Sequence, residues 1–107
     1  VVNLDNNELV VAILPVSSML SMKQLAKVAK AKKAIMADKQ AVERATGYVL
    51  GGVSPLGQKK RLRTFIDSNA ESLETIYISA GKRGLEIELA PKDLAELVSA
   101  KFYQLAT

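Results

Sequence analysis

Apolar and polar positions change period along this chain, and each change marks an element. Residues 1–4 and 9–14 are apolar runs separated by Asp5-Asn6-Asn7-Glu8. Asn and Asp tolerate the left-handed turn conformation, so the stretch reads as a β-hairpin. From Met22 the spacing lengthens, and Met22, Leu25, Ala26, Val28 and Ala29 share one face of a helix ending near Lys30. Ser21 stands at its N-cap, with Gln24 three residues on to complete a capping box. Ala34-Ile35-Met36 is a short strand. Asp38 caps a second helix through Ala45, and Gly47 is its natural C′ residue.

The second half alternates more strictly. Residues 48–50 read as a strand entering a glycine-rich loop, 62–66 as the strand that resumes after it, and 67–73 as a loop or short helical turn. Residues 75–79 and 85–89 are strands joined by the tight hairpin Ala80-Gly81-Lys82-Arg83-Gly84. Pro91 opens a last helix to about Ser99, with Leu94, Leu97 and Val98 on one face, and 101–106 form a short terminal element. Strands outnumber helices and several are hairpin-linked. The pattern predicts a mixed α+β or barrel-like domain whose sheet is mixed or mostly antiparallel.

With 107 residues the chain is sized for a single domain with a modest core. No apolar run is long enough for a membrane span, nothing resembles a signal peptide, and cysteine is absent. A cytoplasmic protein is expected. Histidine is absent too, which excludes a Ser-His-Asp triad, a cysteine nucleophile and a His/Cys zinc site. Chemistry must come from lysines, carboxylates, hydroxyls, backbone dipoles or the substrate. The net charge of +4 mildly favours a polyanionic partner. The chain starts at Val1, without an initiator methionine and in what reads as a strand interior, and so reads as a piece of a longer protein.

The segment Gly51-Gly52-Val53-Ser54-Pro55-Leu56-Gly57-Gln58-Lys59-Lys60 concentrates three glycines, a proline, a hydroxyl and two cations. Glycine admits positive φ and close approach to the backbone, and Ser54-Pro55-Leu56-Gly57 suits a type I turn. The loop is either a backbone cradle for a carbonyl, ribose or phosphate, or an ordinary turn with a proline corner. It is neither a Walker loop nor a Rossmann fingerprint. Lys59, Lys60, Arg61 and Arg63 form the densest cationic cluster. Lys82 and Arg83 at the hairpin tip read first as a solvated turn. Lys23, Lys27 and Lys30 share a helix face, where like charges cost about 0.2–0.5 kcal/mol per pair; solubility explains them as well as phosphate binding does. Glu86 and Glu88 fall on the face of their strand opposite Leu85, Ile87 and Leu89, most simply a solvent face. Tyr48, Tyr77 and Phe102 are too scattered for a base-stacking platform and read as core.

Taken in order, Gly47-Tyr48-Val49-Leu50-Gly51-Gly52-Val53-Ser54-Pro55-Leu56-Gly57, then Ile76-Tyr77-Ile78-Ser79-Ala80-Gly81-Lys82-Arg83-Gly84-Leu85, then Leu94 onward, closely resemble the YbaK-type aminoacyl-tRNA deacylases. The resemblance spans essentially the whole chain. It implies a curved, barrel-like sheet with flanking helices, shared with the editing insertion of bacterial prolyl-tRNA synthetase. It also implies hydrolysis of the ester between a wrong amino acid and the tRNA 3′ adenosine, for this branch cysteine on tRNA for proline, beside prolyl-tRNA synthetase and without metal or cofactor. Cysteine and proline are similar in size, so a small pocket cannot reject one strongly by shape.

Carried over by position, the resemblance gives Gly51 a backbone contact to substrate and sets Ser79 and Gly81 on the facing wall. Gly52, Val53, Ser54 and Pro55 shape the substrate loop. Glu86 takes a carboxylate position that is commonly Asp in relatives, and Gly51, Ser79 and Glu86 are the expected catalytic set. Lys59, Lys60, Lys82 and Arg83 are the candidate tRNA contacts. Gly84-Leu85-Glu86 stands where the alanine-editing relatives carry Gly-His-Ala, which points to the YbaK branch. In that branch the substrate's own thiol attacks its carbonyl. The family's functional lysine falls a few residues upstream of Val1, so residues 1–107 by themselves are expected to be weakly active or inactive. A non-catalytic binder of the tRNA 3′ end or of a nucleotide is the alternative that the same loop and cations allow.

Overall fold

The computed structural model describes residues 1–49 and 51–107. Strands β1 (Val2–Leu4) and β2 (Leu9–Ile13) form the expected hairpin, paired Val2 to Val10. Its turn uses Asn7 at φ 64° and returns the Leu4 amide to the Glu8 carbonyl at 2.9 Å. Helix α1 (Met22–Val28) starts where Ser21 Oγ accepts from the Gln24 amide at 3.2 Å, and it stops short of Lys30, which has φ 61°. β3 (Ala34–Met36) lies antiparallel to β1. Helix α2 (Lys39–Thr46) ends on Gly47 at φ 82°, as its sequence dictates, while Asp38 occupies the N-cap position without a side-chain hydrogen bond.

After the glycine-rich loop come β4 (Arg63–Asp67), a 3₁₀ turn (Ser68–Ala70), β5 (Ile76–Lys82), β6 (Leu85–Leu89), α3 (Pro91–Leu97) and β7 (Lys101–Tyr103). The main sheet runs β3-β1-β2-β4-β7, and β5-β6 form a separate two-stranded ribbon. The fold is mixed α+β as expected, with two details different. β4 pairs in parallel with both β2 and β7, so the main sheet is evenly mixed, and it stays open rather than closing into a barrel among the described residues. The strand expected over 48–50 does not form at Tyr48 and Val49, and Leu50 lies outside the described residues. The Thr46 hydroxyl accounts for the break: it donates to the Val42 carbonyl at 2.7 Å and accepts from the Tyr48 amide at 3.1 Å, which turns the chain away from a ladder.

Alternate residues of β4 serve two cores. Phe65 faces Val2, Leu4, Val10, Leu25 and Leu105, under α1. Ile66 faces Ala70, Ile78, Leu94 and Ala95, under α3 and the ribbon. Buried Asp67 fastens the C-terminal segment, its carboxylate accepting from the amides of Leu105, Ala106 and Asn69 at 2.9, 3.1 and 3.3 Å. Tyr77, expected in the core, is 64% exposed. Among the described residues no helix is long and apolar enough to cross a membrane.

Candidate functional site

The loop over residues 51–57 is held at both ends. Past it, the Lys59 and Lys60 amides donate to the carbonyls of Thr46 and Ala45, at 3.0 and 2.8 Å, using acceptors freed at the C-terminus of α2. Before it, the Gly52 amide closes a turn on the Val49 carbonyl at 3.0 Å, with Gly51 at φ 95°. Inside it, buried Ser54 accepts from the Leu56 amide at 3.1 Å, and its carbonyl accepts from Gln58 Nε2 at 2.9 Å. The Ser54–Gly57 bend is thus closed by side chains. Tyr48 braces it from below, its hydroxyl donating to the Leu56 carbonyl.

The loop then packs against the ribbon. A β-carbon on buried Gly52 would stand 3.1 Å from Lys82 Cα, 3.2 Å from the Arg83 nitrogen and 3.2 Å from the Gly81 oxygen. One on Gly51 would stand 2.7 Å from Arg83 Nη2, so the guanidinium lies beside that exposed glycine. The two motifs are therefore one joint, in which Gly52 lets backbone lie on backbone while Gly51 meets only the Arg83 side chain. A bulge between Ser79 and Lys82 shapes the ribbon's side, with the Gly81 amide donating to Ser79 Oγ at 3.2 Å.

This joint borders a cleft of two lobes, each of about 270 Å³, that share Val1, Val53 and Ser79. One lobe continues to Gly51, Met36 and Val42. The other continues to Pro55, Gln58 and Tyr77. Among the described residues neither is lined by a carboxylate, lysine or arginine side chain. The amides of Gly51 and Val53 donate to no described residue, and Ser79 supplies the hydroxyl common to both lobes. The arrangement can hold a carbonyl oxygen by backbone dipoles and seat a small apolar side chain on Met36 and Val42. Tyr77 borders the lobe that reaches Pro55, and the Glu88 carboxylate across the ribbon pushes its phenol above its usual range.

The structure thus brings Gly51, Val53, Pro55 and Ser79 together at the cleft, with Gly52, Ser54 and Gly81 supporting them. Glu86 is opposite Ser79 in the ribbon register but borders a neighbouring cavity instead of either lobe. Lys82 and Arg83 stand at the loop–ribbon joint, and exposed Lys59 and Lys60 lie where the loop rejoins α2. Sequence reasoning missed Met36, Val42 and Gln58 as lining residues and Tyr48 as the brace. Only Val42 carried a signal, as an apolar position of an amphipathic helix.

A family model described as an aminoacyl-tRNA editing domain matches residues 1–97. This chain belongs to the aminoacyl-tRNA editing domain family. An Enterococcus faecalis relative, EbsC, carries the provisional name of a Cys-tRNA(Pro)/Cys-tRNA(Cys) deacylase; it is 41% identical over 98 residues, 92% of this chain and 60% of its own length. YwhH, an uncharacterised Bacillus subtilis protein, is 32% identical over 71 residues, 66% of this chain and 45% of its own length. The chain thus spans 60% or less of these two relatives. Among solved structures, one provisionally described as a trans-editing enzyme for prolyl-tRNA synthetase superposes with a TM-score of 0.91 at 18% identity, over 99% of this chain and 66% of its own. At that identity the match establishes the fold of this editing domain.

Proposed function

We propose that residues 1–107 act as one editing domain of an aminoacyl-tRNA deacylase that hydrolyses mischarged tRNA, with cysteine on tRNA for proline as the substrate. The observation that carries the reading is the joint between the Gly52 backbone and the Gly81–Arg83 backbone, beside a cleft lined by no charged side chain among the described residues. The lobes carry the Ser79 hydroxyl but no histidine, carboxylate or lysine beside it to activate it, so the reaction draws its nucleophile from the substrate or from water. A cysteinyl ester brings its own. Its thiol adds to the carbonyl carbon, the bond to the ribose oxygen breaks with the thiol proton ending on that oxygen, and water then opens the cyclic thioester left behind to free cysteine. The amides of Gly51 and Val53 face the developing oxyanion, where one such donor is worth about 10²–10³ in rate. Ser79 orients the amino-acid moiety, and Met36 and Val42 limit its size.

Glu86 acts from the neighbouring cavity through the ribbon, while Lys59, Lys60, Lys82 and Arg83 hold the tRNA end. The work is done in the cytoplasm beside prolyl-tRNA synthetase. The test is incubation of the full-length protein with cysteinyl-tRNA for proline. Release of free tRNA supports the reading, and an ester that stays intact on prolonged incubation overturns it. Salt-sensitive tRNA binding without turnover would instead mark a non-catalytic binder of the 3′ end.

A further inference from the structure

A second concavity lies away from the cleft, between α1 and β3, with a volume of about 580 Å³. Lys23 and Lys27 reach it from α1, and Lys32 and Lys33 from the connection that leads into β3. All four are exposed, and no acidic residue lines the groove. The nearest carboxylate contact is Asp5 Oδ1, which accepts from the Lys32 main-chain amide at 3.3 Å, outside the lining. Among the described residues the one ion pair is Arg63 with Glu8, so none of these four ammonium groups is paired with a described carboxylate. The remaining lining is apolar, from Met22, Ala26, Ala31, Ala34 and Ile35, a surface along which lysine stems can lie with their charged ends in solvent.

The position of the groove relative to the cleft gives it a meaning. β3 is one of the two edge strands of the main sheet. Successive residues of a strand point to opposite faces. Met36 lines the cleft lobe that holds Gly51 and Ser79, whereas its neighbour Ile35 lines the lysine groove. The two sites are therefore back to back across one edge strand. A single-stranded 3′ end seated in the cleft needs only to pass over that edge for the duplex behind it to meet four lysines.

We infer that the groove of Lys23, Lys27, Lys32 and Lys33 binds the phosphate backbone of the tRNA stem adjoining the 3′ end. This rests on the deacylase reading for the identity of the RNA, and it adds a binding surface separate from the Lys59–Lys60 and Lys82–Arg83 clusters. The lysines serve as point charges on phosphates, so binding there is indifferent to sequence and steep in salt.

The test uses the full-length protein and an unacylated acceptor-stem minihelix. The quadruple variant K23Q/K27Q/K32Q/K33Q should bind at least tenfold more weakly, with a log–log salt slope shallower by roughly 0.7–0.9 for each phosphate no longer neutralised. The matching Lys→Arg variant should retain both. On cysteinyl-tRNA the Gln variant should show a raised KM with unchanged kcat, and it should hydrolyse the cysteinyl ester of the terminal adenosine alone at the wild-type rate. Thermal unfolding should be unaltered or slightly later, because neutral residues relieve the Lys23–Lys27 repulsion. Wild-type affinity and slope in the Gln variant overturn the proposal, as does loss of binding to an acidic polypeptide but not to the minihelix. If the wild type cleaves neither ester, the deacylase reading falls, while minihelix binding still decides whether the groove holds RNA.

Discussion

The ring of Tyr48 lies against Gly81, so that a β-carbon on this glycine would stand 2.8 Å from Tyr48 Cε1. Gly81 also has φ 98°, a conformation that costs an L side chain roughly 1–2 kcal/mol on its own. Gly81→Ala should therefore lower stability by about 1–3 kcal/mol, read as a lower urea midpoint at unchanged slope. Tyr48→Phe keeps the ring but removes the hydroxyl bond to the Leu56 carbonyl, and should cost about 0.5–1.5 kcal/mol. An unchanged midpoint in Gly81→Ala would show that ring and glycine do not touch.

Gly52→Ala separates geometry from stability. Its backbone is not at positive φ, so the penalty comes from the added methyl meeting main-chain atoms of residues 81–83 at 3.1–3.2 Å. Main chain yields less readily than a flexible side-chain tip, so the loop must shift against the ribbon by a few tenths of an ångström. Misplacing a reacting centre by about 1 Å can cost on the order of 10²-fold. Deacylation should fall by tenfold or more while the melting temperature moves by only a few degrees.

Asp67 is a stability residue away from the cleft. It is fully buried and its carboxylate takes three backbone amides. Asp67→Ala leaves those donors unsatisfied and should cost on the order of 2–4 kcal/mol in chemical denaturation. Asp67→Asn keeps an acceptor and should cost less. Equal losses would mean that the carbonyl oxygen contributes nothing.

Glu8 gives a pH signature. Its hydrogen bond to the Arg63 guanidinium, at 2.7 Å, holds the carboxyl below the usual glutamate range. A depressed folded value stabilises the protein above the unfolded glutamate value, near pH 4.3, and that contribution is lost as pH falls through the folded value. Both side chains are substantially exposed, so the pair is worth about 0–1 kcal/mol. Glu8→Gln should lower stability by that amount at pH 7 and by nothing at pH 2. A constant difference between the two pH values would assign the effect to packing.

Local rules carried much of the fold. The Ser21 cap, the Gly47 stop, Pro91 at the start of α3 and both hairpins each rest on a few adjacent residues. What they could not give was the parallel placement of β4 between β2 and β7, because strands distant in sequence choose neighbours by the cores they share. Tyr48 was misplaced for a similar reason: its aromatic ring favours a strand, but the Thr46 hydroxyl captures its amide. At the site, the two glycine motifs were visible as text. That Gly52 touches the Gly81–Arg83 backbone, and that the cleft lacks charged side chains, belong to the folded chain alone. The groove lysines were legible only in part, since their common concavity depends on β3 lying at the sheet edge.

The parallel pairing of β2 with β4, Val10 opposite Arg63, also orders events in time. A parallel pair needs a long crossover between its strands, and here that crossover contains α1, β3, α2 and the whole glycine-rich loop. The β1–β2 hairpin can close as soon as it is made, whereas β4 docks only after a large loop-closure entropy has been met. The ribbon that completes the cleft comes later still in the chain. A polypeptide that stops before β5 and β6 therefore has the early hairpin but lacks Ser79 and the ribbon backbone that border the cleft.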